Sequence, residues 1–315
     1  KAGKSQFAQG GYRRQLGRPV PAGSCKRQQL ARLKVLTHPA DHDEARIDLP
    51  PYQVGDGGGG SGTVTVVGAG SLTSTALVTG GSRGLGLQIA EAMGEAGARV
   101  LLTSRKGADL EKAAAHLQAN GIDTQWVAAD MSDPEQIRHM TEAAMQKLGQ
   151  IDILVNNAGI AAAAPVHELD IAVWDRVLAV HLRGTFLMTR AVLPQMYTRG
   201  YGRIINTASQ LAYKGAPGFT AYTAAKGAIL SFTRSVALEI GARNITINCV
   251  APGATRTPIL DDVPAEVLEE IRKAIPLGRI ADVDDIAPSF VFLASDAGRH
   301  FQGQCISPNG GDVFL

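Results

Sequence analysis

This 315-residue sequence predicts a doubly wound α/β domain built on a parallel seven-stranded sheet, and three observations carry that prediction. From about residue 70 onward, short β-rich apolar runs alternate with amphipathic stretches of helical length. Brief Gly, Asn or Asp turns separate them, as expected where helices carry the chain between parallel strands. A glycine-rich turn stands between the first such strand and the first helix, where open α/β sheets bind their ligands.

The expected strands are 76–79, 100–103, 125–129, 153–156, 203–207, 246–250 and 305–307, each short and rich in Val, Ile, Leu or Thr. Stretches such as 87–96, 173–196, 222–240 and 264–274 repeat apolar residues at helical spacing, and right-handed crossovers lay helices on both faces. Residues 70–315 thus read as one catalytic-size domain without internal repeats. With 45% apolar and 19% charged residues and mean hydropathy near zero, the chain reads as globular. No uncharged apolar run reaches the ~18 residues of a membrane span, so no membrane partner is expected. Cys25, Cys249 and Cys305 are odd in number and lack C-x-x-C spacing, which argues against a disulfide framework, a zinc ribbon or a dithiol redox site. A reducing, cytoplasmic location follows as the expectation, with no metal.

Residues 1–69 differ in kind. The first forty contain nine Lys/Arg and no Asp or Glu, so the small net charge of +2 hides a basic segment ahead of an acidic remainder. Pro50-Pro51 then leads into the glycine-rich run 55–62, and disorder is expected throughout 1–69. A nucleic-acid arm, a transit sequence and a membrane-surface anchor are the functional readings of such a segment. It has no compact basic cluster, so it is expected to be an extension without catalytic role and without a nucleic-acid partner.

The first strand runs into Thr79-Gly80-Gly81-Ser82-Arg83-Gly84-Leu85-Gly86. Glycines there let backbone approach a pyrophosphate, and the following helix offers free N–H groups and the positive end of its dipole. The spacing is not G-x-G-x-x-G, so position rather than pattern gives the turn its meaning. The second strand ends in Thr103-Ser104-Arg105-Lys106 without a carboxylate to hold an unphosphorylated ribose, whereas Arg105 and Arg83 can bind a 2′-phosphate. NADP(H) is favoured over NAD(H).

Tyr222 and Lys226 lie four apart on one helix face. An ammonium beside a phenol favours phenolate, which brings the tyrosine toward the working range of a general acid/base. Ser209 ends the fifth strand, where its hydroxyl can hold an oxygen that is gaining negative charge.

Taken in order, Thr79-Gly80…Gly84-Leu85-Gly86, Asn156-Asn157-Ala158-Gly159, Ser209, Tyr222…Lys226 and Pro252-Gly253…Thr257 resemble the motif set of the short-chain dehydrogenase/reductase family over residues 70–315. The resemblance implies a Rossmann fold and a metal-free, nicotinamide-dependent oxidoreductase that forms a homodimer or homotetramer. It implies that Tyr222 is the acid/base, that Ser209 anchors the carbonyl or hydroxyl, and that Lys226 binds the nicotinamide ribose and depresses the tyrosine. Asp130-Met131 resembles the adenine-binding pair, and Asn157-Ala158-Gly159 the strand-end motif that shapes the cofactor pocket. Pro252, Gly253, Thr255 and Thr257 match the segment along the nicotinamide face. One departure stands out: where the family pattern expects an asparagine in a proton relay, this chain has His181. Because imidazole changes charge near neutral pH, a slower or more pH-dependent relay is expected.

Residues 210–213, 160–164 and 254–277 are expected to wall the substrate pocket. They are mostly apolar or small, which suits a neutral ketone or secondary alcohol. Helix 264–274 is expected to close over the site as a lid, with Asp261, Asp262, Glu266, Glu269 and Glu270 on its acidic side. Members resembling 3-oxoacyl-carrier-protein reductase or gluconate 5-dehydrogenase are the alternatives. The first needs surface arginines to meet an acidic carrier: Arg243 falls at one matching position, while the other is Gly200, with Arg199 beside it, so the match is half complete. A dinucleotide-binding sensor or scaffold with little turnover is the alternative from another class. Helices 173–196 and 222–240 are more apolar than two half-exposed helices require, which favours a homo-oligomer that the segment 309–315 extends.

Overall fold

Each strand of the sheet sends alternate side chains to opposite faces, and in the computed structural model each face meets its own set of helices. The structure describes residues 74–260 and 263–314, together with the short strands β1 (Ala45–Ile47) and β2 (Val64–Val66), which pair antiparallel. The rest of the extension expected to be disordered, Cys25 included, lies outside the described residues, as do Asp261 and Asp262.

The chain then runs through β3 (Thr75–Thr79), α1 (Gly84–Glu95), β4 (Arg99–Ser104), α2 (Gly107–Ala119), β5 (Thr124–Ala128), α3 (Pro134–Leu148) and β6 (Ile153–Asn156). Next come α4 (Ile171–Leu178), a wide π turn (Ala179–Arg183), α5 (Gly184–Arg199), β7 (Gly202–Thr207), α6 (Leu211–Lys214), α7 (Thr220–Ile240) and β8 (Ile245–Val250). Helices α8 (Ala265–Ala274) and α9 (Val283–Ala294) and strand β9 (Cys305–Ile306) complete it. The seven strands from β3 to β9 form one all-parallel sheet in the order β5-β4-β3-β6-β7-β8-β9. Strand order therefore reverses between β3 and β6, the switch point at which such sheets open a crevice beyond their carboxyl ends.

On one face Ala76, Val78, Val100, Leu102, Val155 and Val250 pack against Ile89 and Met93 of α1, Leu110 and Leu117 of α2, and Ile286 and Phe290 of α9. On the other, Leu77, Leu101, Leu154, Ile204 and Ile247 meet Ile137 and Met140 of α3, Met188 and Val192 of α5, and Val236 and Ile240 of α7. All seven expected strands are present, with bounds shifted by one residue at most ends.

The helix expected over 173–196 is interrupted. The five residues Ala179–Arg183 form the π turn that joins α4 to α5 and carries His181. Helix α3 starts on Asp133, whose carboxylate accepts from the N–H groups of Glu135 and Gln136, and α9 starts on a reciprocal Asp282/Asp285 capping box. Among the described residues, no helix is long and apolar enough to cross a membrane.

Candidate active site

The glycine-rich turn is held by contacts that leave no room for side chains. At Gly86 a Cβ would come within 2.1 Å of the Gly80 carbonyl oxygen, and Gly80 itself has φ +68°. Gly86→Ala is therefore expected to destabilise the domain by at least about 1–3 kcal/mol and to abolish dinucleotide binding, as thermal melts with and without coenzyme would reveal. Thr79 secures the turn from below. Its hydroxyl donates to the Val155 carbonyl at 3.3 Å and accepts from the N–H groups of Asn157 and Ala158 at 2.9 and 3.0 Å. The donor and both acceptor positions of that hydroxyl are used within the protein, so Thr79 shapes the turn through them. Asn157 has a similar role, donating from Nδ2 to the Thr79 carbonyl at 3.0 Å.

Helix α1 begins at Gly84 after Arg83, with no side-chain cap and no acidic residue in its first turn. Its first N–H groups and positive dipole end thus face the turn uncompensated by protein side chains. The segment after β8 returns over this point: a Cβ at Gly84 would meet Pro258 at 3.2 Å and Thr257 at 3.6 Å. Pro252 is buried, the Thr255 hydroxyl donates to the Gly253 carbonyl at 3.0 Å, and a Cβ at Gly253 would strike the Asn309 backbone at 2.7 Å. At the end of β4, the hydroxyls of Thr103 and Ser104 are buried without a hydrogen-bond partner. Arg105 beyond them and Arg83 are both exposed, and neither takes part in an ion pair among the described residues. Ser82 and Leu85, between the glycines, are half-buried. Beyond β5, Asp130 accepts from Arg176 of α4 at 2.6 Å and from the Ser132 N–H and hydroxyl at 2.8 Å, while Met131 is buried.

The second half of the site joins the end of β7 to α7. Ser209 is buried just past the strand, and α7 carries Tyr222 and Lys226 toward it. Burial pushes the Tyr222 phenol above its usual value, and hydrogen bonding to the Ser209 hydroxyl pulls the other way. Lys226, also buried, donates to the Thr207 carbonyl at 2.5 Å, and its Nζ stands 5.6 Å from the centre of the Tyr222 ring. Burial lowers the Lys226 ammonium to about 7. The Lys226 ammonium is bonded to backbone rather than to the phenol, and burial sets the direction of the tyrosine's shift.

His181 meets Tyr222 edge-on, with ring centres 5.3 Å apart, and lies against Gly159, where a Cβ would come within 2.5 Å of the imidazole Cε1. Its Nε2 is 3.0 Å from the Ile160 N–H nitrogen and 2.7 Å from the Ile160 carbonyl oxygen, while Nδ1 is buried without a partner. Burial, then the positive charge of Lys226, holds the imidazole down at about 3. The expected change of charge near neutral pH is therefore corrected: His181 stays uncharged across the neutral range.

Several site residues gave no motif. Gln210 and Lys214 both donate to the Asp312 carboxylate, at 2.7 and 2.6 Å, so the C-terminal segment clamps the loop after Ser209. A buried chain of bonds runs from Asn156 to Asn206 (2.9 Å), on to Thr233 (2.9 Å) and to Cys249 (3.1 Å). Cys249 and Cys305 are cross-strand partners, although their sequence spacing argued against a dithiol.

The fold, the strand-end site and the comparisons agree on a class. The short chain dehydrogenase family matches residues 74–267, and the chain belongs to it: it is an oxidoreductase acting on CH–OH groups. The FabG 3-oxoacyl-[acyl-carrier-protein] reductase of Pseudomonas aeruginosa is 39% identical over 236 residues, which is 75% of this chain and 96% of that protein. Subunit BbsD of the (2S)-[(R)-hydroxy(phenyl)methyl]succinyl-CoA dehydrogenase of Thauera aromatica is 36% identical, covering 75% of this chain and 95% of that one. Among solved structures, a provisionally named gluconate dehydrogenase from Agrobacterium tumefaciens superposes with a TM-score of 0.73 at 33% identity, covering 77% of this chain and 97% of its own.

Proposed function

We propose that the chain interconverts a neutral ketone and a secondary alcohol using NADP(H), with Tyr222 as acid/base. The arrangement of Ser209, Tyr222 and Lys226 around the end of β7 carries this reading. The strand ends also suit a dinucleotide: Gly80 and Gly86 leave backbone where side chains would clash, α1 lacks a side-chain cap, and Ser104 holds an unpartnered hydroxyl. In this reading Gly80 to Gly86 cradle the pyrophosphate, Asp130 and Met131 border the adenine, and Pro252 to Thr257 border the nicotinamide. Ser104, Arg105 and Arg83 bind the 2′-phosphate. When bound, the nicotinamide supplies or accepts the hydride.

The residues do the rest. Ser209 donates a hydrogen bond to the substrate oxygen and stabilises negative charge there. Tyr222 gives that oxygen a proton during reduction and takes it back during oxidation. Lys226, fixed on the Thr207 carbonyl, keeps a positive charge behind the phenol below about pH 7. The pocket walls support a neutral substrate, since Glu269 on α8 is paired with Arg272 and Lys273.

A thioester-borne 3-oxoacyl substrate is the second reading, favoured by the activity for which the FabG relative is named. Its carrier-docking arginines are already engaged: Arg199 with Asp152 at 2.5 Å, and Arg243 with the Ile240 carbonyl and the face of Tyr197. That favours a free small molecule. Ile171, Phe186 and Tyr197, exposed along α4 and α5, support a homo-oligomer.

The test is a panel of ketones and alcohols assayed in both directions with all four nicotinamide coenzymes. Turnover with NADPH or NADP+ is expected, and a chain that turns over none of the panel sinks the reading. Arg105→Ala is expected to weaken NADPH binding by roughly 10- to 100-fold with NADH unaffected, in line with the worth of a charged hydrogen bond. Equal losses for the two coenzymes would remove the 2′-phosphate assignment.

A further inference from the structure

Cys249 in β8 and Cys305 in β9 stand directly opposite each other in the parallel ladder. Their side chains leave the sheet on the same side: both pack with Ala208, Ile229 and Leu230, while the next residues along, Val250 and Ile306, belong to the core of the opposite face. Adjacent strands lie about 4.8 Å apart, within the Cα separation of about 4.4–6.8 Å that a disulfide spans. A bridge also needs the two Cβ atoms to close to about 4 Å. Strand β9 can make that move, being the edge strand and only two residues long.

The two thiols are unequal. Cys249 is buried and bonded to Thr233 at 3.1 Å. Cys305 is half-buried and reachable from solvent. Hydrogen bonding from Cys249 and from the Tyr213 hydroxyl, together with the charge of Arg234, favours its thiolate against the opposing effect of burial. A partly exposed thiol whose thiolate is favoured, beside a shielded second thiol, is the pairing that oxidises reversibly, because the second thiol intercepts the first product before it is oxidised further.

We propose that Cys305 and Cys249 form an oxidation site for small hydroperoxides, Cys305 being the attacking thiol and Cys249 the resolving one. The Cys305 thiolate attacks one peroxide oxygen and the O–O bond breaks. With hydrogen peroxide this leaves a sulfenic acid and one water. The Cys249 sulfur then displaces that hydroxyl as a second water and forms the S–S bond. Two thiols lose two electrons and two protons, and the peroxide, reduced to two waters, takes them up. The site lies beside the catalytic groups without including them: Tyr213 follows Ser209 by four residues, and the charge of Lys226 reaches Cys249.

The experiment uses the full chain, reduced, exposed to hydrogen peroxide, then unfolded, alkylated, digested and weighed by mass spectrometry. The expected product is a linked pair of peptides carrying Cys249 and Cys305, two hydrogens lighter than the dithiol and separated again by dithiothreitol. Cys249→Ser is expected to stop at a Cys305 sulfenic acid that dimedone traps, and Cys305→Ser to leave Cys249 fully alkylatable. The proposal is overturned if both cysteines of the unmodified sequence remain alkylatable after peroxide treatment. It is equally overturned if the bridge joins either of them to Cys25, or if Cys305 proceeds to sulfinic acid while Cys249 stays reduced. Peptide mapping of the unaltered chain decides the matter even where a variant folds poorly, and it is independent of coenzyme or substrate.

Discussion

Tyr222→Phe is expected to lower kcat by roughly two to four orders of magnitude, the usual worth of a positioned proton donor, while leaving coenzyme affinity unchanged. The phenylalanine keeps the edge contact with His181 and the packing at the start of α7, and removes only the oxygen that Ser209 bonds. A loss of kcat without a change in coenzyme binding by fluorescence titration therefore isolates proton transfer from architecture. Turnover that survives the substitution would end the acid/base assignment. The pH profile adds a second check. Lys226 carries its proton below about 7 and loses it above, so ketone reduction is expected to decline as pH rises through that value.

His181→Asn is expected to make the protein markedly more resistant to acid. The imidazole of the folded chain titrates at about 3, against about 6.5 for the unfolded chain. Between those values the unfolded state binds more protons, so the contribution of a neutral His181 is complete above about pH 6.5 and is lost as pH falls toward 3. The whole linkage is on the order of 5 kcal/mol, with about 3 kcal/mol gone by pH 4. Asparagine has no such titration. It also presents one donor and one acceptor to the Ile160 N–H and C=O, which a single imidazole nitrogen satisfies only one at a time. Urea unfolding at pH 7 and pH 4 measures the difference directly. If stability falls equally in both proteins, the buried imidazole is not the acid-sensitive group.

The strands were legible in the sequence because each is a short β-rich apolar run closed by a turn residue, and the order of Ser209, Tyr222 and Lys226 was legible because helical spacing alone puts the last two on one face. What escaped notice depends on contacts between distant segments. The π turn at 179–183 adds a residue to a helical repeat without breaking its apolar pattern, so periodicity ran through it. The low charge state of His181 follows from burial against Gly159 and Ile160, which only the packing of the turn against the β6 loop creates. The bracing of the turn by Thr79 is equally non-local, since its hydroxyl bonds β6 and the loop beyond it. The thiol pair is invisible to any spacing rule, since 56 residues separate two cysteines that meet only when β9 docks on β8.

The reversal of strand order between β3 and β6 means that one wall of the crevice comes from the stretch β3 to β5 and the other from β6 to β9, so neither stretch forms a crevice alone. The turn after β3 needs Asn157 and Ala158 from the far side of the switch, and Thr257 and Pro258 from beyond β8 to cover it. Nascent or truncated chains that stop short of residue 258 have no finished anion cradle to offer, however well their early strands pair. With the turn holding the coenzyme as proposed, capture doubles as a folding gauge: a ligand that binds only once 257–258 cover the turn raises the melting point of finished molecules alone.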